Sequence, residues 1–89
     1  MANYTAVPSK TFEREFEKLS KTDQDKVWEK ITLLEEDPFY PSLRSKKIKG
    51  TPDHFESSVN MDIRLIWRYE GDKIIVMIDV GHHDILKKY

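Results

Sequence analysis

Two apolar segments joined by a short polar turn constrain the fold of this chain more than any other feature. Residues 63–69 alternate in polarity and are rich in β-branched and aromatic side chains, and residues 74–80 form an almost continuous apolar run. Between them, residues 70–73 include Gly71, which suits a tight hairpin turn. The sequence therefore predicts an antiparallel hairpin whose second strand is buried in the centre of a sheet.

The register of this hairpin can be counted back from the turn if Gly71 and Asp72 are its two loop residues. Four apolar pairs then share one face: Tyr69 with Ile74, Trp67 with Val76, Leu65 with Ile78, and Ile63 with Val80. The other face places Arg64 opposite Asp79. We therefore expect one face to pack against helices and the other to stay open.

The N-terminal half has a helical period instead. A short strand at residues 3–7 is followed by Ser9, a suitable N-cap for a helix over about residues 10–20. Thr22 is the N-cap candidate of a second helix, which must end before Pro38. Apolar residues recur at i, i+4 and i+7 in both helices: Phe12, Phe16 and Leu19, then Val27, Ile31 and Leu34.

Composition limits the classes of protein. A chain of 89 residues with 38% apolar and 35% charged residues supports one domain, residues 1–89, with one modest core. The absence of cysteine excludes disulfides and thiolate metal sites. No apolar segment follows Met1, so we expect a cytoplasmic protein without a membrane partner. A net charge of −1 gives no global argument for nucleic-acid binding.

Several positively charged groups are candidates for binding phosphate. The basic stretch comprises Arg44, Lys46, Lys47 and Lys49. It could contact a nucleic-acid strand, although most charged runs are simply solvated. Arg64 could bind a phosphate through two parallel hydrogen bonds, or form a cross-strand ion pair with Asp79.

Titratable groups cluster after the last apolar run. His82 and His83 follow Gly81 directly, and histidine suits proton transfer near neutral pH. They could instead cap a strand, or bind a metal with Asp84, although no further His or Cys completes such a site. Three residues outside this cluster also have two interpretations each. Glu56 is either a general base or a solvated carboxylate, and Tyr89 either stacks on a nucleotide base or is frayed at the chain end. Trp28 is either a core residue or an anchor for a protein partner.

Three motifs, in order, make the chain resemble the RelE/ParE superfamily of type II toxin–antitoxin toxins, and its RelE/YafQ branch most. Residues 37–50, DPFYPSLRSKKIKG, are similar to the family connection DP-x-x-PSL-x-x-x-K-L-x-G. Residues 63–67, IRLIW, resemble the strand Y-R-hydrophobic-hydrophobic-Y/F, and residues 79–84, DVGHHD, resemble the ending D-I-G-x-H-D. The resemblance covers almost the whole chain.

The resemblance implies an α+β fold of the microbial ribonuclease type, with two N-terminal helices packed on a twisted, mostly antiparallel four-stranded sheet. It implies an mRNA endonuclease that needs no metal or cofactor, typically acts on the ribosome and inhibits translation. In such enzymes the 2′-hydroxyl attacks the adjacent phosphate and a 2′,3′-cyclic phosphate results. The implied partners are a cognate antitoxin, mRNA and the ribosome, with operator DNA reached only through the antitoxin.

The resemblance also assigns roles to residues. Arg64 would stabilise charge on the phosphate, His83 would act as acid or base, and Tyr89 would be the functional aromatic near the C-terminus. Glu56 lies where the family has a lysine pair and is the candidate base. The remaining RNA contacts would come from Arg44, Lys46, Lys47, Lys49, Arg68 and His82. The missing lysine pair and the acidic balance favour an alternative, a ParE-like gyrase inhibitor or a degenerate toxin that only binds antitoxin and operator.

Overall fold

The computed structural model describes residues 2–89 and has the predicted α+β architecture, with helices on one side of a mostly antiparallel sheet. The helices are α1 (Lys10–Glu17) and α2 (Lys21–Glu36), and the strands are β1 (Thr5–Pro8), β2 (Lys46–Lys47), β3 (Phe55–Ser58), β4 (Ile63–Glu70) and β5 (Ile74–His82). The strand order is β1-β5-β4-β3-β2, and among residues 2–89 only the β1–β5 pairing is parallel. The sheet thus has five strands rather than the four expected.

Both helices begin at serine caps. The Ser9 hydroxyl accepts a hydrogen bond from the Phe12 N–H (3.0 Å) and donates one to the Ile78 carbonyl (2.8 Å), so it joins α1 to β5. Ser20, rather than the predicted Thr22, caps α2 by accepting from the Asp23 N–H (3.1 Å). Because Ser20 has extended backbone angles, α1 must end before it and is shorter than predicted.

The two caps give a test of how α1 is fastened to the sheet. We expect Ser9→Ala to lower the free energy of unfolding by about 2 kcal/mol, since it removes a cap and a further bond to the sheet. Ser20→Ala, which removes a cap alone, should lower it by about 1 kcal/mol. Urea unfolding of both variants measures the difference. Equal losses would show that the Ser9–Ile78 bond adds no stability.

The core lies between the helices and one face of the sheet. Apolar side chains of the predicted helical stripes supply one side, including Phe12, Val27, Ile31 and Leu34. Alternate residues of β4, namely Ile63, Leu65 and Trp67, supply the other, as predicted. No helix within residues 2–89 is long and apolar enough to cross a membrane.

The predicted hairpin register is wrong for β5. Glu70 pairs with Ile74, so the loop has three residues rather than two, with Gly71 at a φ of +68°. A β-bulge follows, because Ile66 pairs with Asp79 whereas Trp67 pairs with Met77, which leaves Ile78 without a partner. The core residues of β5 are consequently Ile75, Met77 and Val80, in place of Ile74, Val76 and Ile78.

The same shift separates the charged pair expected on the other face. Arg64 lies opposite Gly81, and Asp79 lies opposite the buried Ile66. The predicted cross-strand pairing of Arg64 with Asp79 is therefore wrong. Arg64 is left to make other contacts at the end of β4, next to the loop that joins it to β3.

Candidate nucleic-acid site

The face of the sheet turned away from the helices, here called the open face, carries most of the candidate residues. Since directly paired residues share a face, the register groups them in two adjacent rows. One row is Ser58, Arg64 and Gly81, and the other is Lys46, Glu56, Ile66 and Asp79. Glu56 and Arg64 therefore lie in adjacent rows of one face.

Backbone carbonyls hold the Arg64 guanidinium in place. Its Nη1 donates to the carbonyl oxygens of Asn60 (2.8 Å) and Ile63 (3.1 Å). Neither acceptor is a carboxylate, so these bonds orient the group without neutralising its charge. A fixed and uncompensated guanidinium is well suited to bind a phosphate.

A groove of about 340 Å³ opens beside this guanidinium. Its lining residues are Ser42, Arg44, Ser58, Val59, Asn60, Met61 and Arg64. Arg44 follows a short 3-10 turn at Pro41–Leu43 and has a left-handed backbone (φ +49°). Two guanidinium groups thus line one groove, and Met61, which is 95% exposed, stands at its edge. The groove can accept an anion or a segment of a polyanion.

Both histidines lie at this same end of the sheet and share one carboxylate. The Nδ1 atoms of His82 and His83 lie 3.6 Å and 3.9 Å from the two carboxylate oxygens of Asp62. The sequence reasoning missed Asp62, although it immediately precedes the strand that carries Arg64. Asn60 shapes the loop, because its side-chain oxygen accepts from the N–H groups of Asp62 (2.8 Å) and Ile63 (2.7 Å).

The metal interpretation of the histidine cluster finds no geometric support. Among residues 2–89, no three His, Asp or Glu side chains converge in an arrangement that could hold a metal ion. Both rings are well exposed.

Tyr89 is fastened to the open face. After β5, a 3-10 segment (His83–Lys88) folds back across the sheet, and the Tyr89 hydroxyl donates to Oδ2 of Asp79 (2.9 Å). Its ring lies 5.6 Å from that of His54, whose Nδ1 is 2.9 Å from Asp53. Burial of the phenol, its hydrogen bond to Asp79 and the negative charge there raise the pKa of Tyr89 to about 12. His54 is a second residue that the sequence reasoning missed.

The other candidate cations are not all gathered in one place. Lys46 faces Glu56 across the β2–β3 pair, and Lys47 points to the opposite side of the sheet. Lys49 is exposed in the loop that follows. Arg68 lies four residues along β4 from Arg64 and forms an ion pair with Glu70 (2.5 Å). Arg44 is thus the candidate cation that lines the same groove as Arg64, whereas Arg68 is engaged by Glu70.

One exposed aromatic lies on the helical side. Trp28 is 54% exposed and contacts the edge of Phe16, with ring centroids 5.6 Å apart. A second groove of about 360 Å³ runs beside them toward β1, with the carboxylates of Glu13 and Glu17 among its lining groups. Trp28 is therefore a surface residue rather than part of the core.

Comparison with known proteins identifies solved structures that share this fold. No protein-family model and no curated protein matches the sequence. Among solved structures, a chain of the archaeal RelE–RelB complex from Pyrococcus horikoshii is 21% identical, with 90% of this chain and 94% of that one covered at a TM-score of 0.75. YafQ from E. coli is 19% identical, with 93% and 97% covered at 0.77. The YoeB dimer from Staphylococcus aureus is 15% identical, with 92% and 99% covered at 0.75.

These structures confirm the resemblance at the level of fold. The chain has the fold of the RelE, YafQ and YoeB toxins of type II toxin–antitoxin systems over nearly its whole length and theirs. Since one fold can support several functions, the activity has to be argued from the site itself.

Proposed function

We propose that this chain is the toxin of a type II toxin–antitoxin system and that it cleaves mRNA on the ribosome, thereby inhibiting translation. The main support is the groove in which the oriented, uncompensated guanidinium of Arg64 faces solvent together with Arg44. The histidine pair lies at the same end of a RelE-like sheet, and this combination suits chemistry on a phosphodiester. We place its action in the cytoplasm, where mRNA and ribosomes are found.

The proposed reaction is an internal transesterification. The 2′-hydroxyl oxygen attacks the adjacent phosphorus, the bond from phosphorus to the 5′-oxygen breaks, and the products carry a 2′,3′-cyclic phosphate and a 5′-hydroxyl. The reaction needs a base for the 2′-hydroxyl, an acid for the leaving oxygen, and positive charge near the phosphorane. No redox partner or second substrate is required.

The residues of the open face can supply these roles. Arg64 binds the non-bridging oxygens, and His83 transfers a proton at the end of the sheet where Asp62 contacts its ring. Glu56, on the same face, is the candidate base. Tyr89 contributes a neutral phenol, which is held in place by its hydrogen bond to Asp79. Arg44, Lys46, Lys47, Lys49, Arg68 and His82 are proposed to contact RNA outside the reacting phosphate.

Substitution of the two adjacent histidines tests the proton-transfer assignment. We expect His83→Ala to lower the rate of mRNA cleavage by about 10²–10⁴-fold, the usual contribution of a general acid or base. His82→Ala, at the neighbouring and equally exposed position, should cause a much smaller loss. The measurement is cleavage of ribosome-bound mRNA by purified protein, with detection of 2′,3′-cyclic phosphate ends.

Other results would revise this proposal in defined ways. If both histidine variants cleave like the wild type, the proton-transfer role lies elsewhere, with Glu56 or Tyr89 as the next candidates. If the wild type does not cleave mRNA but its induction causes DNA damage while translation continues, the chain is a gyrase inhibitor of the ParE type. If induction has no effect on growth, the chain is a degenerate toxin.

We also propose a cognate antitoxin as the protein partner. The similar structures include toxin–antitoxin complexes, RelE with RelB and YafQ with DinJ. This surface would suit an amphipathic segment that carries basic residues. Trp28 and the groove beside it offer apolar contacts, and Glu13 and Glu17 in the groove lining offer negative charge. Contact with operator DNA would then occur only through the antitoxin.

A further inference from the structure

Asp79 is a carboxylate in an unusual place. Asp79 is only 1% exposed, and it lies on the open face beside the buried Ile66. Oδ1 accepts from the Val80 N–H (2.8 Å), Oδ2 accepts from the Tyr89 hydroxyl (2.9 Å), and the Lys88 ammonium is 3.5 Å from Oδ2. Burial of a carboxylate is costly unless such partners are present, so Asp79 depends on the segment that covers it.

We propose that Asp79 is the positioning residue of Tyr89: it fixes the phenol over the open face and thereby fastens residues 83–89 across the sheet. The inference rests on the proposed function, since Tyr89 is assigned there to the reacting site. It adds a residue that touches no substrate but determines where a proposed functional group is held.

The path of the C-terminal segment supports this role. Ile85 lies so close to Gly81 that a Cβ on residue 81 would be 2.7 Å from the Ile85 Cγ2. The segment therefore meets β5 first at Gly81 and then at Asp79, two residues back along the strand. The contacts at Gly81 and Asp79 define the direction of the C-terminal segment, and the contact at Asp79 sets the position of the Tyr89 ring.

The surroundings of the phenol show what the fastening achieves. The charged or titratable groups that face it are Asp79 from β5, Lys88 from its own segment, His54 from the loop before β3, and Glu15 from α1. With the hydroxyl held by Asp79 and the ring against His54, both the ring plane and the donor direction are fixed. A fixed aromatic plane can stack on an RNA base, which a mobile tyrosine would do only at an entropic cost.

The anchor can be measured without RNA. Protein with ¹³C-labelled tyrosine, with the Tyr89 signal assigned through Tyr89→Phe, allows the Tyr89 titration and its ring contacts to be followed by NMR. In Asp79→Asn we expect the pKa of Tyr89 to fall, because the charge of Asp79 is removed, and to stay above the ordinary value, because the phenol is still buried. In Asp79→Ala the contact between the Tyr89 and His54 rings should also be lost. Asp72→Asn, an exposed carboxylate of the β4–β5 loop, is the matched control and should change neither.

Cleavage then tests the consequence separately. The loss caused by Asp79→Asn should disappear in a Tyr89→Phe background, because the proposed effect passes through the phenol. An unchanged Tyr89 titration in folded Asp79→Asn, or an unchanged ring contact in folded Asp79→Ala, would overturn the anchor, even if the protein cleaves mRNA. If Asp79→Asn lowers cleavage equally in the wild-type and Tyr89→Phe backgrounds, positioning of Tyr89 is not the reason for the loss. If the wild type has no ribonuclease activity, the NMR result still decides whether Asp79 holds the phenol.

Discussion

Replacement of Arg64 by alanine should reduce mRNA cleavage by about 10²–10³-fold, the loss typical when one preorganised donor to a developing negative charge is removed. Two backbone carbonyls hold the guanidinium before any substrate arrives, at 2.8 Å and 3.1 Å. Little reorganisation is then needed in the transition state. Single-turnover cleavage of a defined mRNA on ribosomes measures the loss directly.

Two variants make this result specific to the guanidinium. Arg64→Lys keeps the charge but not the planar pair of donors, so its rate should lie between those of the wild type and Arg64→Ala. Arg14→Ala removes an exposed arginine of α1 that contacts Glu15, and it should cleave like the wild type. Full cleavage by a folded Arg64→Ala protein would remove Arg64 from the site and weaken the nuclease proposal as a whole.

Local pattern was enough to predict most of the fold. The core faces could be identified because side chains on one face recur with the period of their helix or strand. This holds for the helical stripes that include Phe12 and Val27, and for the alternating residues Ile63, Leu65 and Trp67. The register of β5 could not be predicted in this way. A three-residue loop and a bulge at Ile78 depend on how β5 meets both of its neighbours, and no local pattern in the apolar run distinguishes one register from another.

The candidate site, too, could be predicted only in part. Arg64 and the two histidines could be assigned to one end of the sheet because Arg64 begins the first strand of an antiparallel hairpin and the histidines follow the second. The contacts of Asp62 with both histidines, and of Tyr89 with Asp79, were not predictable. They depend on the loop shaped by Asn60 and on a C-terminal segment that folds back across the sheet, both of which are tertiary arrangements.

Replacement of Trp67 by alanine should have the largest effect on stability, a loss of about 3–5 kcal/mol in the free energy of unfolding. Trp67 has no exposed surface, it stacks on Phe55 with ring centroids 4.7 Å apart, and its Nε1 donates to the Ser57 hydroxyl (2.8 Å). Ser57 in turn is hydrogen-bonded to Ser45 (2.6 Å). The substitution would therefore leave a large cavity and remove a donor from a buried polar network.

Trp28→Ala provides the matched control, since it truncates the same side chain at a position that is 54% exposed. We expect its thermal midpoint to fall by only a few degrees, whereas that of Trp67→Ala should fall by about 12 °C or more for a domain of this size. A loss of that size is a large share of the roughly 5–15 kcal/mol that stabilises a typical domain. Equal losses in the two variants would mean that the buried Trp67 contributes no more to stability than the exposed Trp28 does.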